Sequence, residues 1–304
     1  MNNNKNKNDI STNDKINNNL HPLVSVITVC LNSRKDIEKT ILSVINQTYS
    51  DLEYIIVDGA SVDSTLDIIQ KYDSSISRWI SEPDEGIYDA MNKGIKLSSG
   101  DWLIFMNSGD YFSDYNVVAR IIEIYNKDKN SLNKTGLIYG NALIVNEEFG
   151  INYRLGKKIN GIKDFYFSFE RQPICHQAVF FCRDLFKEVG TYNKKFILLG
   201  DYEWFVRFFS SNSGYITKFI DIDIVKFQMD GLSFKLLDKA LAEKKNIVIK
   251  YFPPFEFTVY HLLLPFIYLK FKILGLVKGK RIFKIYRFFK YRIFKSFKII
   301  KVKK

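Results

Sequence analysis

Val24-Ser-Val-Ile-Thr-Val-Cys30 is a short, uninterrupted and largely β-branched run. A continuous apolar run of this length is typical of a strand buried on both faces of a parallel sheet. Apolar residues then follow at helical spacing (Ile37, Ile41, Val44 and Ile45), and a second buried run covers residues 53–58. The stretch therefore predicts the start of an α/β fold, in which strands and helices alternate along the chain.

The alternation continues as far as residue 106 and then changes. We predict helices at 64–72 and 88–97 and strands at 78–81 and 102–106. Beyond residue 136 we predict strands at 137–145, 153–155, 178–182 and 216–227, with helices at 202–209 and 233–249. The expected architecture is a Rossmann-like α/β fold, with a mostly parallel central sheet flanked by helices.

Acidic residues recur along the chain, most of them at the end of an apolar run or in the loop after one. They are Asp58, Asp84 in Glu82-Pro-Asp-Glu-Gly86, Asp110 in Asn107-Ser-Gly-Asp110, and Asp201 and Glu203 in Gly200-Asp-Tyr-Glu203. Ligands of open α/β sheets bind outside the carboxyl ends of the strands. We therefore expect these acids to converge on one cleft that holds a nucleotide and a metal ion.

Positive charge is concentrated at the C-terminus. The chain has 304 residues and a net charge of +12, and residues 270–304 carry 14 Lys or Arg with no Asp or Glu. The rest of the chain therefore carries 12 − 14 = −2 and is close to neutral. The three cysteines match neither a metal-ligand spacing nor an even disulfide set, so we expect free thiols and a reducing cytosol.

Three segments are expected. Residues 1–20 are rich in Asn, Lys and Asp and predict a disordered leader, and residues 21–250 predict one globular domain. Residues 251–304 predict an amphipathic helical extension rich in basic and aromatic residues. Its longest uncharged stretch, between Glu256 and Lys270, has 13 residues, whereas a membrane span needs about 20.

The tail is expected to attach the protein to a membrane surface. Basic side chains are attracted to anionic lipid, and the interleaved aliphatic and aromatic residues favour lipid over nucleic acid. The predicted location is cytoplasmic, with peripheral attachment to the inner face of the cell membrane. The competing interpretation is nucleic-acid binding, with basic residues on phosphates and aromatic rings on bases.

Together these motifs resemble the family 2 glycosyltransferases of the GT-A fold that build bacterial surface polysaccharides. The residues that carry the resemblance are Pro22-Leu-Val-Ser-Val-Ile-Thr-Val29, Ser43-Val-Ile-Asn-Gln-Thr48, the 53–65 run, Asp84-Glu-Gly-Ile-Tyr-Asp-Ala-Met-Asn-Lys-Gly94, Asn107-Ser-Gly-Asp110, His176-Gln177 and Gly200-Asp-Tyr-Glu203. The resemblance implies an inverting enzyme with a nucleotide-sugar donor, UDP-linked, and a lipid-linked or saccharide acceptor.

Donor-binding roles follow from the resemblance. Asp58 is expected to accept the imide N–H of a uracil, and the backbone around Thr28 to pair with the same base. Asp84 is expected beside the base and ribose, Asn107 beside the donor, and His176 near the donor phosphates or the acceptor. The alternatives are that Asp58 and Asp84 only shape turns and that His176 is a hydrogen-bonded core residue.

Asp110 is the expected metal ligand, for Mn²⁺ or Mg²⁺. The family usually has two or three carboxylates in this motif, whereas this chain has Asn107 at the first position and Gly109 at the third. Mg²⁺ often uses one or two carboxylates with phosphates and water, so Asp110 can suffice. The alternative is a plain β-turn in which Asp110 caps the next segment.

Asp201 is the expected general base, which removes the proton of the attacking acceptor hydroxyl. Glu203 is its rival, and a third possibility is that Asp201 only caps a helix. A different reading of the whole chain is a non-catalytic nucleotide- or nucleic-acid-binding protein that uses the basic tail. A nucleotidyltransferase is a weaker option, because Leu31-Asn-Ser-Arg34 is not a glycine-rich loop.

Overall fold

The structure is a computed structural model that describes residues 21–127, 134–146, 151–166, 173–211, 213–228, 236–255, 258 and 262. The predicted leader and most of the predicted tail lie outside the described residues, so those two predictions stay as they are. No helix in the described part of the chain is both long enough and apolar enough to cross a membrane.

The N-terminal part follows the predicted alternation. Its strands are β1 (Val24–Cys30), β2 (Leu52–Asp58), β3 (Arg78–Ser81) and β4 (Trp102–Phe105), and its helices are α1 (Ile37–Ile45), α2 (Thr65–Lys71) and α3 (Ile87–Leu97). The four strands are parallel, with Val24 opposite Leu52 on one side and Trp102 on the other. Their carboxyl ends therefore lie along one edge of the sheet, as predicted.

The C-terminal part is mixed. Its strands are β5 (Tyr111–Phe112), β6 (Lys134–Asn146), β7 (Ile151–Leu155), β8 (Val179–Cys182) and β9 (Tyr215–Gln228). Its helices are α4 (Val117–Lys127), α5 (Ile162–Tyr166), α6 (Leu185–Glu188), α7 (Gly200–Ser210) and α8 (Leu237–Tyr251). The strands join one sheet in the order β3-β2-β1-β4-β8-β6-β9-β5, and β7 pairs with β6. Strand β8 is antiparallel to both β4 and β6, whereas β6 and β9 are parallel.

Helices cover both faces of the sheet, because alternate residues of the central strands point to opposite sides. Ile27, Ile55 and Phe105 pack on one face with residues of α3 and α7. Val26, Ile56 and Ile104 pack on the other face with residues of α1, α2 and α4. This two-layer burial is why the central strands are continuously apolar in sequence.

Candidate active site

Asp201 lies in the first turn of α7, and the residue is 5% exposed. The hydroxyl of Tyr88, on α3, donates a hydrogen bond to Oδ1 of Asp201 at 3.0 Å. On the other side, Nδ1 of His176 lies 2.9 Å from Oδ2. Two donors from separate segments of the chain therefore fix the orientation of this carboxylate.

His176 extends the contact from Asp201 to the turn that follows β4. Its Nε2 lies 3.3 Å from Nδ2 of Asn107. His176 sits in a short 3₁₀ turn, His176–Ala178, directly before β8, which is the antiparallel neighbour of β4. Because β4 and β8 are adjacent, the residues that follow β4 and precede β8 lie at the same edge of the sheet.

The turn Asn107-Ser-Gly-Asp110 is held tightly against α1. The amide N–H of Asp110 bonds to the carbonyl of Asn107 at 2.9 Å, and Gly109 adopts a φ of 96°, which favours glycine. The Thr40 hydroxyl accepts the amide N–H of Gly109 at 2.9 Å and donates to the carbonyl of Asp110 at 2.8 Å. The third-position glycine, which departs from the family motif, is therefore explained by backbone conformation.

Asp110 is buried, and burial raises the pKa of its carboxyl to about 7, although the nearby His176 and a hydrogen bond from Gln177 act in the opposite direction. Two further oxygens of the turn, Oδ1 of Asn107 and Oγ of Ser108, are buried and have no hydrogen-bond partner among the residues that the structure describes. Within the described ranges, no group of three or more His, Cys, Asp or Glu side chains is placed to hold a metal ion. One carboxylate and two unpartnered neutral oxygens are nevertheless the kind of donors that Mg²⁺ or Mn²⁺ accepts when a ligand's phosphates complete the shell.

Asp58 and Thr28 lie on the same sheet but are enclosed by protein. Asp58 is fully buried and accepts hydrogen bonds from the Ser61 amide at 2.9 Å, the Ser61 hydroxyl at 2.5 Å and the Ser81 hydroxyl at 2.7 Å. Thr28 is also fully buried, and its hydroxyl pairs with that of Tyr54 at 3.1 Å. In this conformation neither side chain reaches a surface, so their expected contacts with a base stay predictions.

Asp84 lies beside Asp58 at the end of β2. A Cβ atom on Gly59 would come within 2.4 Å of Oδ2 of Asp84, so the half-buried Asp84 carboxylate rests directly against Gly59. The other carboxylate oxygen accepts the amide N–H of Gly86 at 2.9 Å.

The predicted residues form two groups along one sheet edge: Asp58 with Asp84, and Asn107 with Asp110, His176 and Asp201. Strands β2 and β4 are two spacings apart, which corresponds to about 10 Å.

Glu203, the rival base, forms an ion pair with Arg207 inside the fold. It is 1% exposed, and Nε of Arg207 lies 3.0 and 2.9 Å from its two oxygens. The hydroxyl of Tyr251, the last residue of α8, also donates to it at 2.5 Å. Glu203 therefore joins α7 to α8, and its contacts fit a structural role better than the role of a base.

Glu243 on α8 holds the loop that leads into α7. Its carboxylate accepts the backbone N–H groups of Ile197, Leu198 and Leu199 at 2.8, 3.0 and 2.9 Å. Glu243 is itself buried, so these charge-assisted bonds are shielded from water. The loop ends at Leu199, directly before α7, so α8 fixes the backbone that leads into Asp201.

Sequence reasoning missed Tyr88 and gave no reason for Gly200. A Cβ atom on Gly200 would come within 2.8 Å of the Tyr88 ring, so the close packing of this ring requires glycine. Tyr88 stands inside the Asp84–Gly94 motif, and that was the available signal. Asn92, in the same motif, bonds through its amide to the backbone of Tyr192 in both directions at 2.9 Å and so positions a loop.

Comparisons with known proteins match the chain to glycosyltransferases. The family model described as Glycosyl transferase family 2 matches residues 25–190. A PGL/p-HBAD biosynthesis glycosyltransferase of Mycobacterium bovis (strain BCG / Pasteur 1173P2) is 30% identical over 227 residues, which is 73% of this chain and 84% of the relative. A putative teichuronic acid biosynthesis glycosyltransferase, TuaG of Bacillus subtilis, is 41% identical over 95 residues, or 30% of this chain and 38% of the relative.

Solved structures share the fold at low sequence identity. S. aureus TarS 1-349 in complex with UDP-GlcNAc has a TM-score of 0.58 and 15% identity, over 76% of this chain and 68% of that one. The mannosyltransferase PcManGT from Pyrobaculum calidifontis, in complex with GDP-Man and Mn2+, has a TM-score of 0.57 and 16% identity, over 86% and 76%. Against a longer TarS structure, this chain spans 42% of the length. These similarities establish the GT-A architecture.

Proposed function

Because the chain belongs to glycosyl transferase family 2, we propose that it is an inverting enzyme of cell-surface polysaccharide synthesis. The donor is a nucleotide sugar, UDP-linked, and the acceptor is a lipid-linked or other saccharide. Relatives named for PGL/p-HBAD and teichuronic acid biosynthesis support this class of product. The TarS structure with UDP-GlcNAc supports the choice of nucleotide.

The contact set of Asp201 is the observation that carries the proposal. A carboxylate held by Tyr88 and His176 at a sheet edge is preorganised to accept a proton from the acceptor hydroxyl. The hydroxyl oxygen attacks the anomeric carbon as its proton passes to Asp201, and the bond to the diphosphate breaks on the opposite side. A single displacement of this kind inverts the anomeric configuration.

A divalent cation, Mn²⁺ or Mg²⁺, fits the turn after β4. Asp110 would hold it, and the unpartnered Oδ1 of Asn107 is a second candidate ligand. Such a cation would supply Lewis-acid stabilisation of the charge that develops on the departing diphosphate. Burial raises the pKa of the Asp110 carboxyl because it disfavours the charged form, and a bound cation would supply the missing counter-charge.

The nucleotide is assigned to the first group, around Asp84 and Asp58. Leu31 is 54% exposed and Val62 is 92% exposed, so apolar surface for a base is present at the ends of β1 and β2. In this assignment Asp84 meets the ribose or base, while the backbone near Thr28 and the Asp58 turn shape the pocket. The distance of about 10 Å between the two groups suits an elongated ligand whose diphosphate lies between them.

Peripheral attachment to anionic lipid at the inner membrane face completes the proposal. Ile249, Phe255 and Leu262 are 55, 70 and 68% exposed, at and beyond the end of α8, where the basic segment of the sequence follows. Apolar side chains beside lysines are favoured at a lipid headgroup surface. Within this proposal the tail binds lipid and not nucleic acid, and a flotation assay with anionic and neutral vesicles at varied salt separates the two.

Thermal stabilisation by a panel of nucleotide sugars tests the function without a known acceptor. Binding to the native state raises the melting temperature, so the true donor is expected to stabilise the protein more with Mn²⁺ than with EDTA. Asp110→Asn is expected to remove the metal-dependent part of the shift. The proposal would be contradicted if no UDP- or GDP-sugar of the panel stabilised the protein in the presence of Mn²⁺ or Mg²⁺. With the donor known, the anomeric configuration of the product tests inversion.

A further inference from the structure

His176 stands between two groups of opposite hydrogen-bonding character. Its Nδ1 faces a carboxylate oxygen of Asp201 at 2.9 Å, and its Nε2 faces the amide nitrogen of Asn107 at 3.3 Å. An ionised carboxylate only accepts hydrogen bonds, whereas an amide nitrogen only donates them. Both contacts are satisfied together when the imidazole is neutral, with its proton on Nδ1 and a lone pair on Nε2.

The same contact determines which way the Asn107 amide points. With Nδ2 directed at His176, Oδ1 is directed elsewhere, and this oxygen is buried without a hydrogen-bond partner among the described residues. A buried carbonyl oxygen is normally paired with a donor or a cation. Oδ1 of Asn107 is therefore available to a ligand, and it stands at the end of β4, on the same turn as Asp110.

We propose that His176 is a positioning residue that links the proton-accepting side of the site to the donor-binding side. In its Nδ1–H form it orients Asp201 through one ring nitrogen and, through the other, turns Oδ1 of Asn107 towards the nucleotide–cation complex. The assignment of the two sides rests on the proposed function. The group that meets Oδ1 must be a hydrogen-bond donor or a cation, either a ribose hydroxyl of the nucleotide or its divalent cation.

The pairing also accounts for asparagine at position 107. An aspartate there would place a carboxylate oxygen opposite the Nε2 lone pair, so that two acceptors would face each other. Asparagine offers a donor to His176 and still presents an oxygen to the ligand. Asn107 and His176 are thus a matched pair, and Asn107 is not merely a weakened version of an acidic motif.

The tautomer can be measured without any substrate. The chain contains three histidines, His21, His176 and His261, so selective ¹⁵N-histidine labelling of the full-length protein gives few signals. The spectrum of His176→Asn identifies those of His176. We expect a protonated Nδ1 and an unprotonated Nε2 near neutral pH in the wild-type protein. A ring protonated on Nε2, alone or with Nδ1, would overturn the inference whatever the protein's activity.

A matched pair of substitutions separates the two contacts of His176. Asparagine carries its amide nitrogen at the position of Nδ1, so His176→Asn retains a donor for Asp201 and loses the contact with Asn107. Glutamine reaches the position of Nε2, so His176→Gln retains an acceptor for Asn107 and loses the donor to Asp201. Each substitution therefore removes one of the two contacts of His176 and keeps the other.

We expect His176→Asn to impair UDP binding and His176→Gln to impair turnover. UDP affinity, measured by calorimetry with and without Mn²⁺, is expected to fall at least fivefold in His176→Asn and to stay within twofold in His176→Gln. With the donor found by the thermal screen, kcat is expected to fall more in His176→Gln. If the affinity loss in His176→Asn appears only with Mn²⁺, Oδ1 meets the cation; if it appears in both conditions, Oδ1 meets a hydroxyl.

Equal losses of UDP affinity and of kcat in both variants would overturn the positioning role, and melting temperatures identify losses that come from unfolding. Failure of UDP and of every nucleotide sugar to bind the wild-type protein would refute the donor-side assignment and the proposed function together. The labelling result would still decide the tautomer. A failure of the positioning role of His176 and a failure of the proposed function are therefore distinguishable.

Discussion

The ring of Tyr88 packs directly on Gly200, and its hydroxyl donates to Oδ1 of Asp201 at 3.0 Å. One side chain of α3 therefore contacts two adjacent residues at the start of α7. The packing of Tyr88 accounts for glycine at position 200. The aromatic ring occupies space that any side chain at position 200 would need.

Tyr88→Phe removes the hydroxyl and keeps the ring. A hydrogen bond to a charged group contributes about 1.5–3 kcal/mol, so we expect kcat/KM to fall roughly 10- to 100-fold because the base is less well oriented. Tyr192→Phe is the matched control. Its ring lies 5.6 Å from that of Tyr88, and its buried hydroxyl has no hydrogen-bond partner in the described part of the chain. Equal kinetics in the two variants would contradict the role of Tyr88.

Gly200→Ala is expected to displace the Tyr88 ring, because the new Cβ atom would lie 2.8 Å from ring carbons. Activity should fall at least tenfold while the protein remains folded. In a Tyr88→Ala background the obstacle is gone, so adding Gly200→Ala should cost little further activity. A double-mutant cycle on kcat/KM measures this coupling. Strictly additive losses would mean that the two residues act independently.

Glu203→Gln is expected to lower stability more than turnover. The substitution removes the charge that pairs with Arg207 and accepts from Tyr251, and hydrogen bonds to charged groups contribute about 1.5–3 kcal/mol. We expect chemical denaturation to show a loss of about 2 kcal/mol, with kcat within threefold of wild type. A large loss of kcat at unchanged stability would instead make Glu203 the base.

Glu243→Gln is expected to loosen the loop before Asp201. One of the carboxylate oxygens that accept three backbone N–H groups is replaced by an NH₂ group that cannot accept. Hydrogen exchange at residues 197–201 should become at least tenfold faster, and kcat should fall. Glu123→Gln, on the exposed face of α4 with Lys127 as its partner, makes the same chemical change without effect. Unchanged exchange at 197–201 would show that α8 does not hold the loop.

The parallel half of the fold was predictable because each of its strands is a short apolar run in the local sequence. Strands β1 and β3 have the predicted bounds, and β2 and β4 agree within a residue. The helix expected from 233 begins at Leu237 in the described residues, and residues 229–235 lie outside them. Strand β5 has two residues, which is too short to produce a periodic pattern. The order of β6, β8 and β9 depends on contacts far apart in sequence.

The individual residues of the site were predictable, but the contacts between them were not. Sequence reasoning identified Asp110, Asp201, His176 and Asn107, and the structure brings these residues together. It could not reveal that His176 bridges Asp201 and Asn107, because 69 residues separate Asn107 from His176. Nor could it separate Asp201 from Glu203, since their different partners are set by tertiary packing. The expected contacts of Asp58, and of the backbone around Thr28, with a base stay predictions.

The central claim is that Asp201 accepts the proton of the acceptor hydroxyl, and Asp201→Asn tests it most directly. The amide keeps the size of the side chain but is a far weaker base. With the identified donor and acceptor, we predict that transfer falls at least a thousandfold, while UDP affinity by calorimetry and the melting temperature stay close to wild type. Transfer by Asp201→Asn at the wild-type rate would contradict the account.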